Sequence, residues 1–347
     1  MTTVKEAVLR PELDDKLAGL AKDVDQNAYY PKPFMQEVLT DGYFRGQALA
    51  EEARLIRDVS YRCMTTGFNL WCHAAGLTYI RHTENQTLHN EWIDALESAR
   101  TLAATGLSNP MKYYAGLEKL NLSASPSADG GYTVNGVLPS VSNIAEDHGF
   151  GVVADAGGGR CVMLFVHGSQ AGVTYKEKTD YIGLNGSATY ACKFTDAHIA
   201  AGRVIAEDAA GFVQNIRPLF VTYQIPLALG VTERAIDAIE KCANKQNGAN
   251  SALPVQAVSL RSRLIELSSA FEEAVKDGRP EWETICRLRL DAAYLGLDST
   301  HASMLHSGGA AYMRAAADNR RLREAYFFAN LTPTVKHLET MLQADRT

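Results

Sequence analysis

A few short stretches of this chain carry residue types able to do chemistry, at a spacing that suits it. Arg320 and Arg323 stand three apart, so on a helix their guanidinium groups share a face and can hold an anion or form salt bridges. Helical bundles also carry such pairs merely as solvated charge. Gly308 and Gly309 lack Cβ atoms, which suits close approach of the backbone to a phosphate or adenosine, and equally a helix end followed by a turn. His337 has an ordinary pKa near neutrality, as proton transfer requires, although a solvated histidine near the chain end is the plainer account.

Composition bounds what these residues can serve. The 347 residues are 46% apolar and 21% charged, an ordinary globular mixture. A formal net charge of -6 argues against a nucleic-acid platform, which needs a basic surface. The six cysteines, Cys63, Cys72, Cys161, Cys192, Cys242 and Cys286, contain no C-x-x-C pair and suggest neither a zinc site nor a disulfide framework. No apolar run approaches the roughly 20 residues that span a bilayer. The start, MTTVKEAVLRPELDD, lacks the basic-then-apolar order of a secretion signal, so a reducing cytoplasm is the expected compartment.

The elements that must position these residues change texture twice. Residues 3 to about 105 read as helices, with FNLWCHAAGLTYIRH buried, Asn90 as a cap and Gly106 as a stop. From Leu107 to about Arg203 short strand-like runs appear between Gly, Ser, Asp and Pro clusters, a compact β-domain of sandwich or small-barrel type. Within it GGYTVNGVLPSVSN (130–143) joins a Gly-Gly start, alternation and an Asn-Gly turn, which is a β-hairpin signal. Beyond Gly211 helical periodicity returns, with Pro226 expected to kink a long helix. The expected fold is mainly α with a central β-domain: a helical domain over 1–106, a β-domain over 107–205 and a four-helix bundle over 206–347. Leu227, Leu229, Leu290, Tyr294 and Leu297 put apolar residues on more than one face of that bundle, which predicts oligomerisation through it.

This plan, with several weak motifs in order, resembles the acyl-CoA dehydrogenase superfamily over nearly the whole chain. LSNP (107–110) stands where the family has Leu-Thr-Glu-Pro, and Asn135-Gly136 followed by SVSN (140–143) where it has Asn-Gly and an aromatic-Ile-Thr-Asn stretch. GLNGSATYACKFTDAHI is similar to its Gly-x-x-Gly-Ser stretch, and KQNG (245–248) to its Arg-Gln-Phe-Gly, with Gln256 following. GGAAYM (308–313) matches a Gly-Gly-x-Gly-aromatic turn and RRLREA (320–325) matches Arg-x-x-Arg-Asp.

The resemblance implies FAD. The Leu107 backbone and Ser108 would meet the pyrimidine end of its ring, and the Ser142 hydroxyl its N5 edge, while Ser140 replaces an aromatic beside the ring. Lys245 replaces an arginine on the pyrophosphate, and Gln246 is kept. The Gly308–Gly309 turn would come from a neighbouring subunit of a homodimer or homotetramer. Arg320 and Arg323 would form a structural salt bridge or touch an anionic substrate. Leu117 and Leu305 each replace a residue that contacts the cofactor, so FAD is expected to be held weakly.

The sharpest departure concerns the base. The family's glutamate falls on Thr332, and the alternative position used by some relatives falls on Phe220. Conceivable substitutes are His337, Glu339, Tyr223 and Glu233. Three functions follow: a flavin oxidoreductase on an acyl-CoA thioester; a subunit of a hetero-oligomeric dehydrogenase whose partner supplies the glutamate; and a reduced-flavin monooxygenase, which needs no carboxylate base but typically shows a histidine near the position of Thr332.

Overall fold

The computed structural model describes residues 7–46, 48–178 and 180–344. Residues 1–6, part of the start read above against a secretion signal, lie outside it.

Helical periodicity yields α1 (Pro11–Gln26), α2 (Lys32–Leu39), α3 (Leu49–Arg62), α4 (Met64–His82) and α5 (Gln86–Glu97). Every residue of α4 from Met64 to Ile80 is buried, as its nearly unbroken apolar sequence requires. The start of α5 corrects the sequence reading: Asn85, not Asn90, is its cap, its side chain accepting from the Leu88 N–H at 3.2 Å, and the helix ends well before Gly106. β1 (Ala103–Thr105) and the short α6 (Ser108–Tyr114) follow.

The strand runs become β2 (Leu122–Pro126), β3 (Tyr132–Val141), β4 (Gly149–Gly157), β5 (Arg160–His167), β6 (Val173–Glu177), β7 (Tyr190–Ile199) and β8 (Val204–Ala206). They form one mixed sheet in the order β6-β7-β3-β2-β4-β5-β8, with β1 beside β4. β1 and β2 run parallel to β4 and the remaining pairs are antiparallel.

The expected hairpin in GGYTVNGVLPSVSN is not one. The stretch is the single strand β3, and Asn135-Gly136 makes a bulge against β7, with Gly136 at φ 130° and the register shifting there. The bulge is locked across the strands: the Asn135 Oδ1 accepts from the Asp196 N–H at 2.8 Å, and its Nδ2 donates to Asp196 Oδ1 at 3.0 Å. Asn-Gly thus met a partner strand rather than turning the chain.

Beyond the sheet come α7 (Ala209–Thr222), α8 (Ile225–Cys242), α9 (Ala257–Val275), α10 (Trp282–Ser307), α11 (Ala317–Asn330) and α12 (Val335–Ala344). Pro226 sits in the first turn of α8, and the break between α7 and α8 falls just before it, as its missing N–H predicts.

Two large cores, with a small cluster of Cys286, Leu338 and Leu342 between α10 and α12, hold the described residues together. One lies within the sheet, built from Leu122, Val134, Leu138, Phe150, Val152, Leu164 and Phe194. The other runs continuously through both helical regions and takes Val153, Met163 and Phe165 from the sheet's outer face. α4 presses against that face so closely that a Cβ on Gly151 would lie 2.6 Å from the Tyr79 ring. Here a further expectation is corrected. Leu227 and Leu229 are buried core residues, because α8 packs against α3 as well as α10. Of the five residues read as surplus, Tyr294 alone is exposed, at 41%, while Leu290 and Leu297 are half-buried.

Candidate functional site

A cavity of about 440 Å³ opens between α4, the sheet, the end of α7, and the end of α11 with the chain after it. Its polar lining consists of hydroxyl groups and the Asn330 amide. Ser142 Oγ lies 2.8 Å from Thr189 Oγ1, which lies 2.7 Å from Ser187 Oγ. Thr105 Oγ1 is 2.5 Å from the Tyr79 hydroxyl, whose ionisation burial strongly disfavours. Ser108 Oγ and Thr332 Oγ1 face each other at 3.0 Å. The opposite wall is aromatic, formed by Phe68, Trp71, Phe220 and Phe327. Among the described residues no Asp, Glu, His, Lys or Arg lines the cavity.

The hydroxyl at 332 is held from behind. Gln224, fully buried at the α7–α8 break, donates its Nε2 to the Thr332 carbonyl at 2.9 Å and accepts from Arg289 Nε at 2.9 Å. Arg289 also donates to the Phe328 carbonyl at 2.7 Å and lies over the Phe328 ring. It is 0% exposed, meets no carboxylate among the described residues, and burial pushes its pKa down to about 9.

Ser108, Ser140, Ser142 and Thr332, singled out from distant parts of the sequence, therefore line one cavity, and so does Phe220. Ser140 was expected to leave a gap where an aromatic stood. Tyr181, from the loop after β6, lines the cavity there, its hydroxyl 3.5 Å from Ser140 Oγ. Leu107 is buried and does not line the cavity; its N–H points to Thr105 Oγ1 at 3.4 Å.

The other candidates lie elsewhere. Arg323 makes a two-pronged ion pair with Asp25, both bonds 2.7 Å, and donates to the Ile182 carbonyl at 2.8 Å. Arg320 donates to the Arg62 carbonyl at 2.7 Å and sits 3.6 Å from Glu324. Both guanidinium groups are thus engaged in fastening α11 to the N-terminal helices. Lys245 and Gln246 are exposed, and the latter adopts a left-handed φ of 51°. Gly308 ends α10 as its cap with φ 65°, and Gly309 follows it in the open. Asn250 ties these two turns together by donating to the Cys242 and His306 carbonyls at 2.8 and 3.0 Å.

None of the substitute bases reaches the cavity. His337 is buried rather than solvated, but it lines a second cavity of about 570 Å³, beside Arg217 stacked on Trp282. Burial, and then the Lys112 charge, lower its pKa. Tyr223 donates to Glu52, Glu233 pairs with Arg57 at 2.6 Å, and Glu339 accepts from Tyr294 at 2.8 Å. The sequence alone does not single out Thr105 or Thr189, has Ser187 only as the serine of the Gly-x-x-Gly-Ser stretch, and has Phe68 and Trp71 only as part of a buried helix.

Comparison with solved structures places this architecture. The chain superimposes on butyryl-CoA dehydrogenase from Megasphaera elsdenii with a TM-score of 0.86, covering 96% of this chain and 95% of that one at 16% identity. The fold is that of the acyl-CoA dehydrogenases. The same fold is seen at a TM-score of 0.79 and 14% identity in a dibenzothiophene monooxygenase from a Paenibacillus, covering 96% and 94% of the two chains. By sequence, a mitochondrial isobutyryl-CoA dehydrogenase of Dictyostelium discoideum is 26% identical over 218 residues, 57% of this chain and 50% of that protein. The match thus spans half the length of that relative. No family model matches the chain. Among the described residues no group of His, Cys, Asp and Glu could hold a metal ion, and no helix is long and apolar enough to cross a membrane.

Proposed function

We propose that the cavity holds the ring of a flavin, FAD in the first instance, and that the chain works as an oxidoreductase of the acyl-CoA dehydrogenase type without that type's carboxylate base. The observation that carries this reading is the convergence of Ser108, Ser140, Ser142 and Thr332 on one uncharged wall. Hydroxyls both donate and accept hydrogen bonds, which suits a flat ring whose edge alternates carbonyls, ring nitrogens and an N–H. The aromatic wall opposite supplies apolar surface for whatever lies beside that ring.

When bound, the flavin would supply hydride acceptance from a substrate carbon. The residues of this chain do the rest. Ser142, relayed to Thr189 and Ser187, directs a hydroxyl at the ring edge. Ser108 and Thr332 hold each other on one side of the cavity, and Gln224 fixes the main chain at Thr332. None of these groups takes up a proton near neutral pH, so abstraction of a substrate proton has no strong base here. Gly308, Gly309 and Lys245 do not line the cavity, so in this reading a second copy of the chain brings that turn to the cofactor's phosphates.

A monooxygenase using reduced flavin is the second reading, favoured by a cavity that has aromatic residues and no carboxylate. Against it, the histidine typical near position 332 is missing, and His337 lines the other cavity.

The test is direct. The purified protein is examined for a flavin absorption spectrum and titrated with FAD and FMN by fluorescence quenching. Saturable one-to-one binding that Ser142→Ala weakens supports the reading; no binding at high micromolar flavin removes it.

A further inference from the structure

The floor and the mouth of the cavity differ in kind. Phe68, Trp71 and Phe220 close its inner end and are 3%, 3% and 2% exposed, whereas Ile182 and Tyr326 at the opening are 75% and 52% exposed. Trp71 is fixed on several sides. Its ring stacks on Phe68 with centroids 5.3 Å apart and meets Phe220 edge-on at 5.0 Å. Its indole N–H donates to the Phe220 carbonyl at 3.0 Å. Phe327 completes the cluster edge-on to Phe68 at 4.9 Å. Helix α4, which carries Phe68 and Trp71, is buried on all sides through this stretch, so packed core lies directly behind the rings.

We propose that Trp71 sets the depth of the cavity and restricts the group sharing it with a flavin to short or flat uncharged structures. The cavity's volume of about 440 Å³ lies toward the small end of the roughly 300–1,000 Å³ usual for ligand pockets. A flavin ring and a long straight chain do not fit there together. Aromatic walls receive flat rings edge-on or offset, and an uncharged lining offers nothing to an ionised group. The statement about the co-occupant rests on the flavin reading; the statement about the floor does not.

The experiment measures affinity along a ladder of alkylbenzenes, from benzene to hexylbenzene, by calorimetry on the full chain, on Trp71→Ala and on Trp71→Leu. Each further buried methylene should raise affinity about fourfold while space lasts. The natural protein is expected to stop gaining after the first members, and Trp71→Ala to keep gaining for several more. Trp71→Leu, which retains more of the core packing, is expected to gain fewer steps than Ala. An unbroken rise in the natural protein overturns the proposal even if neither variant folds. So does the same cut-off in a folded variant, or the absence of any binding. A parallel FAD and FMN titration separates the two claims: a cut-off without flavin binding removes the flavin reading and leaves Trp71 as the floor.

Discussion

Ser108 and Thr332 meet at 3.0 Å although 224 positions separate them in sequence. The contact joins the first turn of α6 to the chain after α11, and closes one side of the cavity with two neutral hydroxyls. Gln224, braced by Arg289, holds the carbonyl of Thr332 from the opposite side. Thr332, the position that the family resemblance assigns to a glutamate, is therefore held on both sides.

Flavin affinity should depend on the hydroxyl wall. Ser142→Ala removes one contact, worth about 0.5–1.5 kcal/mol, or a two- to thirteenfold loss of affinity. Tyr181→Ala removes the ring beside Ser140 and should cost a similar amount. Retention is expected to be weak from the start, so that FAD is lost on dialysis and the visible absorbance falls with it. Leu117 and Leu305, read as lost cofactor contacts, are 49% and 52% exposed and lie outside the cavity. A tightly held, stoichiometric flavin would show that those substitutions were misread.

Much of this was legible in the sequence, and the parts that were not share a cause. The helix–sheet–helix order followed from periodicity, and α4 declared its burial in its apolar sequence. Ser108, Ser140, Ser142, Thr332 and Phe220 were placed by motif order and do converge. What failed needed a partner to decide it. Asn135-Gly136 turns a hairpin or makes a bulge according to whether β7 lies alongside, and Leu227 is surplus or core according to whether α3 packs there. Tyr181 reaches Ser140 from a loop some 40 positions away, and no local pattern announces such a contact.

Acid should destabilise the fold through two buried histidines. Burial lowers His73 from 6.5 to about 3 and His148 from 6.5 to about 4. His73 Nδ1 accepts from the Ala103 N–H at 3.1 Å and His148 Nδ1–H donates to the Asn143 carbonyl at 2.7 Å, so both serve while neutral. Both titrate near 6.5 once unfolded, so their contribution is complete above that pH and is lost as pH falls toward the folded values. The unfolded chain then takes up protons that the folded chain refuses, which costs up to about 1.4 kcal/mol per pH unit for each histidine. Glu52 and Glu324, raised by burial, act in the opposite sense. Urea midpoints compared across this range should fall less steeply in His73→Gln than in the natural protein; equal slopes would assign the acid sensitivity elsewhere.

Arg289 should matter to stability through its partners rather than its charge. Arg289→Met removes a costly buried cation but strands the Gln224 amide oxygen, at about 1–3 kcal/mol, and takes one of two donors from the Phe328 carbonyl, which keeps the Leu331 N–H at 3.1 Å. A net loss of about 2–4 kcal/mol is expected in urea unfolding. A variant as stable as the natural protein would mean that relief of the buried charge offsets both lost bonds.

Association should involve the end of the bundle where the chain turns at Gly308. Tyr312 and Met313 are 84% and 67% exposed there, with Leu305 close by in sequence, a concentration of apolar surface unusual on a free face. A dimer or tetramer is expected by light scattering at micromolar concentration, and Tyr312→Asp with Met313→Asp should shift it toward the monomer. A natural protein that is already monomeric would contradict this, and would leave the flavin phosphates without the turn that a second copy is proposed to bring.

Catalysis offers the last test. With Thr332 and Phe220 both lining the cavity and, among the described residues, no Asp, Glu, His, Lys or Arg in that lining, removal of a substrate proton should be slow even where flavin and thioester bind. A positioned base typically contributes about 10²–10⁴-fold. The isolated protein, reconstituted with FAD and mixed anaerobically with a panel of acyl-CoAs, is therefore expected to bleach its flavin little or not at all. Thr332→Glu places a carboxylate where Ser108 can donate to it, on a main chain that Gln224 already holds. That variant should recover part of the missing factor, and with short acyl groups before long ones if Trp71 closes the floor. Rapid bleaching by the natural protein would reveal a base outside the cavity lining. His337→Ala would then be the first variant to make, because the two cavities lie on either side of the short stretch from Thr332 to His337.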